Sequence, residues 1–185
     1  MNLILIGFMG TGKSTIGKLL AARLGFECLD TDQLIADRAG RSVSEIFAAL
    51  GEADFRIRER AAAAEVAAMD RKVVATGGGF VLQPENIGLV RQNGLIVALT
   101  ATPEAIWERV RTDTERPLLQ VPQPLERIRE MLAQRAPFYR RADLIVDTTA
   151  KEPEAIAAEI VCHRALDILS GAETSRGEAD GRGQD

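Results

Sequence analysis

The run Gly7-Phe8-Met9-Gly10-Thr11-Gly12-Lys13-Ser14 matches G-x-x-x-x-G-K-[ST] at every fixed position. It follows an apolar run, Leu3 to Ile6, and precedes a helical one, Thr15 to Leu24, so it reads as strand, tight loop and helix start. Glycines in such a loop let backbone N–H groups wrap a phosphate chain closely, and the helix N-terminus adds positive dipole at the same point. The lysine reaches β- and γ-phosphates, and the serine hydroxyl binds Mg²⁺. Gly10, Thr11, Gly12, Lys13, Ser14 and Thr15 are therefore the expected cradle for ATP or GTP. The chain lacks the Asn-Lys-x-Asp pattern that reads guanine, which favours a kinase acting on a small molecule.

Asp30-Thr31-Asp32 comes directly after a second apolar run, Phe26 to Leu29. That is the carboxyl end of an expected strand, where ligands collect in open α/β sheets. In extended chain the two carboxylates point to opposite sides, one toward a metal–nucleotide site and one toward an acceptor. An ionised Asp suits orienting an acceptor hydroxyl and taking its proton. Asp32 suits equally well the N-cap of the next helix.

Arg56, Glu59, Ala63 and Val66 share one helix face, and Leu125, Ile128, Leu132 and Arg135 share another. An arginine that continues an apolar stripe either grips an anion with its guanidinium fork, or snorkels, or closes a structural ion pair. Arg58, Arg60, Arg127 and Arg129 fall on other faces and are read as solvated. Gly77-Gly78-Gly79 follows the run Val73 to Ala75, with Thr76 where many P-loop proteins carry an acid. Three glycines in a row exceed what a turn requires and let backbone amides approach a ligand with no side chain in the way.

The elements that must position these residues are legible. Strand-like runs at Leu3–Ile6, Phe26–Leu29, Val73–Ala75, Leu95–Leu99 and Leu144–Val146 alternate with helical patterns, which predicts a parallel sheet with helices on both faces. Ser42-Val43-Ser44-Glu45 reads as a capping box just after Gly40, a helix stop. Thr102-Pro103 reads as an N-cap with proline at the first helical position, and Gly94 as another helix stop. Thr112 to Pro124 is polar and carries three prolines, and Ser170 to Asp185 reads as a disordered tail beyond a domain spanning 1–169.

With 185 residues, 46% hydrophobic and 27% charged, the chain fits one globular domain. A net charge of -4 argues against a general nucleic-acid binder. Cys28 and Cys162 match no metal spacing and are expected to be buried thiols, and the single His163 leaves no basis for a His-dependent triad or zinc site. The N-terminus shows neither a signal-peptide pattern nor a membrane span, so a cytoplasmic protein is expected.

Taken in order and spacing, the P-loop, Asp30-Thr31-Asp32, Phe55-Arg56 with Glu59, Gly77-Gly78-Gly79, and Arg116-Pro117-Leu118-Leu119 followed by Arg135 resemble the shikimate kinase family from Met1 to about residue 165. The resemblance implies a P-loop fold of nucleoside-monophosphate-kinase type, with a five-stranded parallel sheet and a mobile lid at about 112–124. It implies transfer of the γ-phosphate of ATP to the 3-hydroxyl of shikimate, on the route to aromatic amino acids. One Mg²⁺ ion accompanies ATP, on Ser14 and, through water, Asp30. Asp32 matches the family's general base, and Arg56, Arg135 and Gly77, Gly78 and Gly79 match its substrate contacts. Arg116 matches the lid arginine that acts on the phosphates with Lys13, and Arg109 matches a position that stacks on adenine. Lys151 falls where the family often has arginine, keeping the charge and losing the planar stack. A monomer with ATP and shikimate as partners, and with no nucleic acid or membrane, completes what the resemblance implies. The rivals are a gluconate or nucleoside-monophosphate kinase of the same fold, and a non-catalytic nucleotide-binding relative. The last should have lost Lys13, Asp32 or a pocket arginine, and all are present.

Overall fold

Along the first strand Leu3 and Leu5 alternate with Ile4 and Ile6, and all four are buried. A strand apolar on both faces needs cover on both faces, which is the situation of a central parallel strand between helical layers. The computed structural model describes residues 1–112, 119, 121–163 and 166. Arg116, Pro117 and Leu118, on which the expected lid contacts rest, and the expected disordered tail from Ser170 to Asp185 lie outside the described residues.

Among the described residues five strands form one parallel sheet. They are β1 (Asn2–Gly7), β2 (Glu27–Asp30), β3 (Lys72–Ala75), β4 (Gly94–Thr100) and β5 (Leu144–Asp147), ordered β2-β3-β1-β4-β5. The helices are α1 (Lys13–Leu24), α2 (Thr31–Ala39), α3 (Val43–Ala68), α4 (Pro84–Arg91), α5 (Pro103–Val110), α6 (Pro124–Tyr139) and α7 (Pro153–Val161). Leu3 and Leu5 pack with Ile16 and Leu20 of α1 and Ile156 and Ile160 of α7. Ile4 and Ile6 pack with Ala63 and Val66 of α3, Val90 of α4 and Tyr139 of α6. The chain leaves β1 toward the β2 edge and leaves β4 toward the β5 edge, so a crevice opens at the carboxyl ends of these two neighbours.

Several local expectations hold. The α2 helix stops at Gly40 with φ 61°, Ser42 and Glu45 form a reciprocal capping box on α3, and Thr102 caps α5 ahead of Pro103. Others need correction. Gly94 is not a helix stop but the first residue of β4, and α4 ends at Arg91. Glycine is required there by crowding, since a Cβ would lie 2.6 Å from the Val90 carbonyl oxygen. Cys28 is half-buried, whereas Cys162 is exposed because it sits just past the last turn of α7. Within α3, Gly51 adopts φ 80° and ψ 175° and divides the helix into two pieces. Among the described residues no helix is long and apolar enough to cross a membrane.

Candidate active site

The loop after β1 is shaped by glycines with positive φ, Gly10 at 75° and Gly12 at 90°. A Cβ on Gly10 would come within 2.7 Å of Val110 Cγ1, so α5 packs directly on the loop's backbone. Thr11 is buried and donates its hydroxyl to the Phe8 carbonyl at 2.8 Å, closing the turn. Gly12 caps α1 without a side-chain hydrogen bond, and the first turn carries no acidic residue, so no side chain of that turn opposes an anion there. Lys13 folds back along the loop, its Nζ donating to the Gly7 and Phe8 carbonyls at 2.9 Å each. A cavity of about 280 Å³ lies over this loop, lined by Gly10, Gly12, Lys13, Ser14, Asp30 and Asp32, with Gly77 and Gly78 on its far wall.

The acidic pair sits at a junction with no intervening loop. Asp30 ends β2 and is itself the N-cap of α2, its Oδ1 accepting from the Asp32 N–H at 3.0 Å. This corrects the expected geometry: Asp32 is neither the cap nor part of an extended segment, but lies in the first helical turn. The strand-to-helix turn, rather than strand alternation, separates the two carboxylates. Asp30 Oδ2 accepts from the Ser14 hydroxyl at 2.9 Å, and so faces the phosphate loop. A larger groove of about 1040 Å³ runs on from Asp30 and Asp32 between α1 and α2, past Lys18, Cys28 and Arg41.

Asp32, Arg135 and Arg56 all meet the triple-glycine turn, one glycine each. A Cβ on Gly77 would lie 2.4 Å from Asp32 Oδ1, and a Cβ on Gly79 would lie 2.9 Å from both terminal nitrogens of Arg56. Arg135 donates from Nη1 to the Gly78 carbonyl at 2.7 Å, and its guanidinium stands 5.1 Å from the centre of the Phe8 ring. The missing side chains thus make room for protein groups. The backbone of the turn also approaches the phosphate loop, with the Met9 nitrogen 3.5 Å from a Cβ built on Gly78.

Charge is held tightly here. Arg135 is 7% exposed and Glu59 1%, both far below the ordinary exposure of charged side chains. Glu59 accepts from Arg56 Nη1 at 2.9 Å, while Glu52 accepts from Arg56 Nε at 3.2 Å and Nη2 at 2.8 Å. Burial raises the Glu59 carboxyl pKa, and the neighbouring Arg56 only partly offsets that. Burial works against the charge on Arg56, yet Glu52 and Glu59 outweigh it and the guanidinium is held more firmly protonated. Arg58 pairs with Asp54 and Arg129 with Glu104 and Glu126, away from the cavity.

On the other side of the loop, Arg109 donates to the Gly10 carbonyl and the Thr148 hydroxyl, both at 3.1 Å, and to the Thr148 and Thr149 carbonyls at 2.5 and 3.3 Å. A second cavity of about 340 Å³ lies between Thr11, Gly12 and Thr15 on one side and Arg109, Thr148 and Lys151 on the other. Lys151 itself donates to Glu159 at 2.6 Å. Sequence reasoning missed the Phe8 ring under Arg135, Thr31 against Gly77, Asn86 against Glu59 and Thr148 against Arg109 as parts of this framework. None carries a local signal, because each acts on a partner distant in the sequence.

The family model for shikimate kinase matches residues 9–164. A shikimate kinase of Geobacter metallireducens is 51% identical over 159 residues, covering 86% of this chain and 89% of that protein. One of Caldanaerobacter subterraneus is 48% identical over 170 residues, covering 92% and 98%. Among solved structures, shikimate kinase from Acinetobacter baumannii in complex with shikimate superposes with a TM-score of 0.84 at 35% identity, covering 94% of this chain and 95% of that one. Phosphate loop, acidic junction and glycine turn thus stand together on a scaffold shared with these enzymes, and this chain belongs to the shikimate kinase family.

Proposed function

We propose that this chain transfers the γ-phosphoryl group of ATP to the 3-hydroxyl of shikimate, giving shikimate 3-phosphate. The observation that carries the reading is the convergence of Asp32, Arg56 and Arg135 on three successive glycines beside the phosphate loop. The phosphates of ATP take the cavity over Gly10 to Thr15, with Lys13 moving from the loop carbonyls to the β- and γ-phosphates. Adenine takes the cavity beside Arg109 and Lys151. The two guanidinium groups suit a carboxylate, since each offers paired N–H donors to paired oxygens. With its carboxylate held by Arg56 and Arg135, and its ring against Gly77, Gly78 and Gly79, the acceptor presents its hydroxyl to Asp32.

Asp32 accepts the hydroxyl proton as the acceptor oxygen bonds to phosphorus and the bond to ADP breaks. Positioning and charge stabilisation supply most of the acceleration, with Arg116 of the lid adding positive charge at the phosphoryl group. Ser14 Oγ and the Asp30 carboxylate are hard oxygen donors 2.9 Å apart, a set that suits one Mg²⁺ ion retaining several waters. Bound there with ATP, it neutralises charge on the phosphates. The reading takes residues 1–169 as the working domain, with the lid at about 112–124 and a tail at 170–185, acting as a cytoplasmic monomer on ATP and shikimate.

An ADP-release assay over shikimate, gluconate, AMP and CMP tests it. Turnover with shikimate alone is expected. Faster turnover with gluconate or a nucleoside monophosphate would overturn the acceptor, and no turnover with any of them would favour a non-catalytic relative.

A further inference from the structure

Between the two aspartates stands Thr31, the first residue of α2, completely buried. Its Oγ1 accepts a hydrogen bond from the Gly77 N–H at 3.0 Å, bridging 46 positions of sequence. The Gly77 carbonyl accepts from the Phe80 N–H at 3.1 Å, so both backbone groups of this glycine are already engaged. The bare face of Gly77 serves the protein itself, and its amide is not offered to a ligand. Against that face lies Asp32 Oδ1, where a Cβ would come within 2.4 Å. Helix start and glycine turn therefore touch without slack, and the hydrogen bond from Gly77 to Thr31 is a polar link across that contact. The next residue of the turn, Gly78, holds Arg135 through its carbonyl.

We infer that Thr31 is a positioning residue: its hydroxyl pins the glycine turn to the base of α2 and so fixes the height of the Asp32 carboxylate relative to the arginine-bearing wall. The inference rests on the kinase reading above. An oxygen acceptor is needed, because a buried N–H left without a partner is unfavourable and the turn would shift to reach water. Valine has the shape of threonine but cannot accept. Serine can.

The test is steady-state kinetics of the full chain as wild type, Thr31→Ser and Thr31→Val. Thr31→Val is expected to lower kcat about tenfold, the scale of one hydrogen bond, with KM for ATP unchanged within about twofold. Thr31→Ser is expected to stay within about threefold of wild type. Wild-type kinetics in Thr31→Val would overturn the inference. So would an equal loss in Thr31→Ser, which would make the methyl group the cause, or a parallel loss of ATP binding, which would indicate general loosening. Hydrogen exchange at the Gly77 amide of the wild-type chain gives an answer that needs no variant to fold. Slow exchange is expected, and exchange at the rate of an exposed glycine would refute the pin. Absence of turnover in the wild type would remove the kinase reading while leaving the exchange result standing.

Discussion

Glu59 is a carboxyl group kept in a place that disfavours its charged form. Burial raises its pKa first, Asp32 nearby adds to the rise, and Arg56 and Asn86 pull it back. The folded chain therefore binds a proton at Glu59 more tightly than the unfolded chain does. Stability from this group is fully present below the ordinary glutamate range and is lost as pH rises through the raised pKa. Against Glu59→Gln, the wild type is expected to lose stability steadily as pH climbs out of the ordinary glutamate range. Urea midpoints of both proteins over that range measure the difference, and a constant difference would contradict the burial argument. Such residues explain what could be read beforehand. Arg56 and Arg135 stood out because a charge on an apolar stripe is visible in one helix. Thr31, Asn86 and Thr148 did not, since their partners Gly77, Glu59 and Arg109 are 46, 27 and 39 positions away.

At the scale of elements, two glycines act for different reasons and should fail differently. Gly51 splits α3 at φ 80° and ψ 175°, a conformation closed to other residues, with nothing within 4 Å of a built Cβ. Gly51→Ala is therefore expected to destabilise by about 1–3 kcal/mol through backbone strain alone, read from denaturant unfolding. Gly79 carries no such backbone demand, but a Cβ there would press on the Arg56 guanidinium at 2.9 Å. That guanidinium is the end of a flexible side chain and can give way. Gly79→Ala is expected to raise KM for shikimate while stability falls by less than about 1 kcal/mol. Equal loss of stability in the two variants would refute the distinction. The central strands were legible because both-face apolar runs bounded by polar residues have few other uses. Gly94 misled because a glycine between helix and strand looks the same whether it ends one or begins the other. The acidic pair misled because Asp30 is at once the last strand residue and the helix cap, so extended geometry stops one residue earlier than the spacing suggested.

For the whole molecule, the proposed assignment brings ATP and shikimate to one aspartate from opposite walls, and each should stabilise the fold by mass action. A ligand at one hundred times its Kd adds about 2.7 kcal/mol. Each is expected to raise Tm separately in wild type, and Arg135→Ala should abolish the shikimate shift while retaining that of ATP. An Arg135→Ala chain that kept the shikimate shift and lost the ATP shift would reverse the assignment of the two walls.

The guanidinium of Arg109 joins the carbonyl of Gly10 to those of Thr148 and Thr149. The wall of the cavity proposed for adenine is thus stapled across two chain segments. A shift of the loop after β1 would therefore carry the segment after β5 with it, and the cavity between them keeps its width.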